Sequence, residues 1–109
     1  MSDLKKMDPL GISGEIVELT RAMLESADQA QWDNVRAYER RRQILLAELR
    51  VGEALKERDR RALAANLEEA ATLNNRLTEI STRARAEMGR AMSLLQRGRR
   101  ANLAYHGIK

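Results

Sequence analysis

Residues 63–95 read LAANLEEAATLNNRLTEISTRARAEMGRAMSLL. Leu63, Leu67, Ala70, Leu73, Leu77, Ile80, Ala84, Met88, Ala91 and Leu95 recur there at steps of three and four, the spacing of one helix face. No Pro interrupts the run, and Gly89 is a local weakness rather than an end. The pattern predicts a helix over about residues 60–104, some 65 Å long at ~1.5 Å per residue. A small bundle does not need one helix of that length. The part beyond about Arg90 is therefore expected to project.

Two shorter helices precede it. Ile12, Ile16, Leu19, Met23 and Ala27 form an apolar stripe, with Glu15, Glu18, Arg21 and Glu25 mostly opposite, which predicts a first helix over about 12–28. Residues 1–11 read as a flexible leader. Asp8-Pro9 has the form of a cap followed by Pro at the first helical position, but Gly11 and Gly14 follow and delay a firm start. Neither Gly nor Pro stands between Asp28 and Gln31, so periodicity alone leaves a continuous helix open. Trp32-Asp33 is the best sign of a new start, because a carboxylate favours a helix's first turn. The second helix is expected over about 31–50, with Val35, Tyr38, Leu45 and Leu49 as its stripe and Arg42 interrupting it. At Arg42 the aliphatic stem would pack while the charged head reaches water. Gly52 is a plausible stop, and Asp59 a plausible cap for the third helix.

Composition agrees with an all-α fold. The 109 residues include one Pro, few β-branched side chains and no Phe, so the core must be aliphatic. That length accommodates one domain, expected over 12–109. Three amphipathic helices with short connections stack most readily as an antiparallel three-helix bundle. Two of the stripes are wider than such a core needs. Ile44 and Leu46 flank the second stripe; Leu73, Ile80 and Leu94 recur at sevens beside the third, with polar Glu87 at the missing step. The surplus either faces helix 1 across the core or remains as a protein-contact surface.

Several functions lack their chemistry. With no Cys there is no disulfide, thiolate nucleophile or zinc knuckle. His106 is the one imidazole and lies near the end of the chain; Glu68 and Glu69 are adjacent, so their carboxylates diverge around a helix. No catalytic, cofactor or metal site is expected, and the chain does not read as an enzyme. No apolar run approaches the ~20 residues of a membrane span, and no apolar core follows Met1–Lys6 as in a signal peptide; a cytoplasmic location is expected. Of the net charge of +4, residues 82–109 carry +6 (seven cations against Glu87) and the remainder −2. Arg97, Arg99 and Arg100 make a basic end, which suits an acidic partner surface or simply a solvated helix terminus. Arg40-Arg41-Arg42 fans over about 200° of a helix and cannot address one groove. The basic residues also lack aromatic neighbours for base stacking, so nucleic acid is not the expected partner.

Trp32-Asp33 at the start of helix 2, followed by Tyr38-Glu39 and Leu45, resembles the FliT family of flagellar export chaperones. So does Arg100-Ala101-Asn102-Leu103-Ala104-Tyr105-His106-Gly107 near the end of helix 3, which is similar to that family's Asn-x-Ala-Tyr segment. The similarity extends over about residues 12–107. The matching positions are Trp32, Asp33, Asn102, Ala104 and Tyr105, with Trp32 also suited to stapling helix 1 against helix 2.

The resemblance implies a small cytoplasmic helical protein that holds the filament cap protein FliD before export and contacts the export ATPase FliI and its partner FliJ. In enteric members the regulator FlhDC is a further partner. It also implies that the C-terminal segment of FliD lies as a helix against apolar surface of helices 2 and 3. Stripe geometry offers Ile44, Leu73, Ile80, Met88, Met92 and Leu95 for that groove, and Met suits an adaptable surface. Enteric members continue into a fourth helix that covers the surface. Only four residues follow Tyr105 here, so no full fourth helix is expected, nor autoinhibition of that kind. Two alternatives remain: a coiled-coil homodimer through Leu63, Ala70, Leu77, Ala84 and Ala91, or a basic nucleic-acid-associated protein.

Overall fold

The computed structural model describes residues 8–49 and 55–107, and of residues 104–107 only the backbone. Among the described residues there are three helices and no strand: α1 (Pro9–Asp28), α2 (Trp32–Glu48) and α3 (Glu57–Gly107). The all-α, three-helix expectation holds. Most of the expected leader, and the stop at Gly52, lie outside the described residues.

α1 begins earlier than its stripe suggests. Asp8 is its N-cap, with the Gly11 N–H donating to Asp8 Oδ1 at 2.8 Å, and Pro9 occupies the first turn. Pro fixes φ at a helical value and has no N–H to leave orphaned, so this pair offsets the propensity cost of Gly11 and Gly14. Burial of Pro9, Ile12 and Ser13 then anchors the turn.

The break between α1 and α2 is a Schellman motif closed by an alanine. Gln31 N–H donates to Ser26 O at 2.8 Å and Ala30 N–H to Ala27 O at 3.0 Å, the paired bonds of that motif. Ala30 stands at φ 56°, the left-handed position that Gly usually fills. α2 follows at once, with Trp32 as its first residue, Asp33 in its first turn and no side-chain cap. α3 starts at Glu57, so Asp59 lies within its first turn beside Glu57 rather than capping it. Two carboxylates there complement the helix dipole.

The backbone groups into two compact units, Met1–Thr78 and Glu79–Lys109. In the first, α1 supplies most of the core. Its expected stripe of Ile12, Ile16, Leu19, Met23 and Ala27 is buried throughout, and Val17 joins it. Val35 and Leu45 of α2 and Leu63, Ala70 and Leu77 of α3 close the core, with Leu49 and Leu73 packed against it half-buried. Tyr38, expected in the α2 stripe, is instead exposed.

Polar side chains tie the three helices together inside this unit. Ser13, fully buried, accepts from Asn66 Nδ2 at 3.0 Å and donates to Leu10 O. Thr20, also fully buried, donates to Ile16 O. The Arg42 guanidinium reaches between helices, donating from Nη1 to Thr20 Oγ1 at 3.2 Å and to Asn74 Oδ1 at 3.0 Å. Its head is thus held by protein groups rather than snorkelling outward, and Nε is buried with no partner. Burial pushes the Arg42 pKa below its ordinary value, partly offset by Glu39. Pairings of Ser13 with Asn66 and of Thr20 with Asn74 through Arg42 ascend together, so α1 and α3 run the same way and α2 runs back between them. The ion pairs Arg21–Glu69 and Arg41–Glu15 bridge helices at the exposed rim, where such contacts add little.

Candidate partner-binding surface

The second unit is helical from Glu79 to Gly107 and carries no buried side chain among those described. Ile80, Ser81 and Ala84 are half-buried, and every described residue after Ala84 is exposed. Large apolar side chains are therefore open to solvent: Met88 at 66%, Met92 at 51%, Leu94 at 64%, Leu95 at 69% and Leu103 at 67% exposure. Met88, Met92 and Leu95 stand at i, i+4 and i+7, within about 60° of helix face at ~100° per residue. That is the stripe geometry by which one amphipathic helix engages another. Leu94 lies on its flank, about 100° from Leu95.

Of the six groove positions drawn from stripe geometry, three thus share one exposed face, and Ile80 is half-buried at the start of the same unit. In the first unit, Ile44 of α2 is 61% exposed with Leu46 also exposed beside it, so the extra width of that stripe is surface. Leu73 differs. It packs against the cluster of Ile12, Ile16, Val17, Leu19, Leu45 and Ala70, so much of its side chain is committed to the fold.

The basic end is not one patch. Arg97, Arg99 and Arg100 are all exposed, but Arg99 lies about 200° round the helix from Arg97, whereas Arg100 is about 60° away. A more regular set is Arg83, Arg90 and Arg97, which fall seven residues apart and form a row along one side of α3. All three are exposed and none makes an ion pair among the described residues.

The family model described as "Flagellar protein FliT" matches residues 12–107. The chain belongs to the FliT family. Searches of curated proteins and of solved structures return no match. FliT proteins are flagellar export chaperones, a family that works by binding rather than by catalysis. The FliT match takes in α1 from Ile12 onward and the whole of α2 and α3, including the exposed half of α3. Among the described residues no helix is long and apolar enough to cross a membrane, and no group of three or more His, Cys, Asp or Glu is placed to hold a metal.

The positions shared with the FliT pattern fall at helix ends. Trp32 is half-buried at the first residue of α2, and Asp33 is open to solvent and paired with Arg36. Asn102 is exposed on α3. Ala104 and Tyr105 lie in the last turns of α3, their side chains outside the described set.

Proposed function

We propose that this chain is a cytoplasmic chaperone of flagellar type III export that binds the C-terminal segment of the filament cap protein FliD and delivers it to the export apparatus, with FliI and FliJ as its contacts there. The observation that carries the reading is the stripe of Met88, Met92 and Leu95, three large apolar side chains each more than half exposed on one helix face. A solvated helix does not need such residues, and leaving them open forgoes roughly 25 cal/mol for each Å2 that a partner could cover. Met supplies conformational adaptability where the partner is a peptide. Holding an assembly-prone segment requires burial alone.

The homodimer alternative has less to recommend it. Leu63, Ala70 and Leu77, three of its five seam positions, are already buried in the chain's own core. Calorimetric titration of the protein with a peptide of the FliD C-terminal segment tests the reading. Binding at micromolar Kd or tighter is expected, about −8 kcal/mol. Met92→Asp with Leu95→Asp should abolish it while leaving the melting temperature unchanged, because both side chains are exposed. A folded parent that does not bind, or a double variant that binds equally well, would refute the assignment.

A further inference from the structure

Within the second unit the row of Arg83, Arg90 and Arg97 runs beside the line of Ile80 and Leu94, on the side of the helix away from Met88, Met92 and Leu95. Counting in heptads with Ala84 and Ala91 on the central line, Ile80, Glu87 and Leu94 form the adjacent line of the seam, and Met88 and Leu95 flank it on one side. The three arginines flank it on the other, about 60° from Ile80 and Leu94 and repeating every ~10.5 Å. Flanking charges of this kind choose the partner helix and its orientation.

A second copy of this chain does not supply the matching charges. In a parallel pair each arginine row would face the partner's Ser81, Met88, Leu95 and Asn102, among which there is no acid. In an antiparallel pair arginine would face arginine, which repels. Two carboxylates lie one turn from the row, Glu79 from Arg83 and Glu87 from Arg83 and Arg90, and neither forms an ion pair with it among the described residues. The row is exposed and regular, and it makes no ion pair among the described residues.

We propose that the exposed half of α3 docks an amphipathic helix of another protein whose apolar stripe is bordered by Asp or Glu recurring every seven residues. This deepens the export-chaperone reading, on which it rests for the existence of a helical partner, and it adds the partner's charge pattern. Ile80 and Leu94, with Ala84, Ala91, Met88 and Leu95 on the side away from the arginines, supply burial, and the arginine row supplies register and rejects basic helices and self-pairing.

The test uses the full chain and two synthetic four-heptad peptides with Leu at their seam positions, one with Glu and the other with Lys on both flanks. The wild-type protein should bind the Glu peptide at least tenfold more tightly than the Lys peptide, with affinity falling as salt is raised. Replacing Arg83, Arg90 and Arg97 together by Gln should weaken Glu-peptide binding about tenfold, each exposed pair contributing a factor of ~2. Their replacement by Glu should reverse the preference, and circular dichroism should show both variants as helical as the parent. Equal binding of the two peptides, binding of neither, or a doubled mass in sedimentation that Leu94→Asp abolishes would overturn the proposal. The FliD segment separates the two readings. If it binds while the peptides are not discriminated, the chaperone reading stands without the acidic flank. If the Glu peptide alone binds, the surface stands without that cargo.

Discussion

Replacing Ala30 by Gly should stabilise the protein, although the substitution removes a methyl group and adds freedom to the unfolded chain. Ala30 is held at φ 56° by the bonds Ala30 N–H to Ala27 O and Gln31 N–H to Ser26 O. An L-residue in that region costs roughly 1–2 kcal/mol through crowding of Cβ against the carbonyl, a penalty that Gly escapes. Against this, Gly in the unfolded chain costs about 0.4–1 kcal/mol more to order. The residue is exposed, so no packing is lost. The net gain is about 0.5–1 kcal/mol, equivalent to roughly 3–6 °C in Tm for a chain of this size. Thermal and urea melts followed by far-ultraviolet circular dichroism would read it, with an unchanged m-value showing that stability changed without a change in the surface exposed on unfolding. Ala30→Val should move the other way and further, because a β-branched side chain tolerates the left-handed region poorly. A Gly variant no more stable than the parent would mean that the α1–α2 turn is not the strained Schellman closure described above.

Two further substitutions probe the helices and the core. Gly14→Ala should raise stability by about 0.5–1 kcal/mol, since a Cβ there meets nothing within 4 Å and Gly is a poor residue inside a helix; equilibrium urea unfolding would check it. Arg42→Met should cost about 1–3 kcal/mol by leaving Asn74 Oδ1 without its donor, whereas Arg42→Met with Asn74→Leu should recover most of the loss, because removing both partners removes the orphan; a double-mutant cycle measures that coupling.

Much of the first unit was legible in the sequence because period and burial coincide. Ile12, Ile16, Leu19, Met23 and Ala27 are spaced for one face and all five are buried. Ala30 was not legible, since the signal for that kind of turn is Gly and the chain closes it with Ala. Arg42 was half legible: its place in an apolar stripe was clear, but its partners Thr20 and Asn74 come from helices 22 and 32 residues away, and no local pattern announces them. On α3 the same spacing serves two purposes. Leu63, Ala70 and Leu77 are buried, whereas Met88 and Leu95 are exposed, without a break in the pattern. Periodicity says which face is apolar but not how far the neighbours reach. With α1 at 20 residues and α2 at 17, they are too short to cover all 51 of α3. The division of Leu73 to the core and Leu95 to the surface had to come from the fold.

The buried polar pairs determine the seating of α3 on its neighbours. Aliphatic side chains spaced at heptads would accept a slip of seven residues with only partial loss of contact, since Leu63, Ala70 and Leu77 would exchange places with similar groups. The polar rungs would not. A slip in one direction would bring Leu73 to the Asn66 position opposite Ser13 and Ser81 to the Asn74 position beside Arg42; in the other it would bring Asp59 and Leu67 there. Either misregister sets a leucine against one of the two polar sites and strands the groups there at about 1–3 kcal/mol each, a large share of a small bundle's total stability. The oily contacts make collapse favourable, and Ser13, Thr20, Arg42, Asn66 and Asn74 leave it a single place to stop.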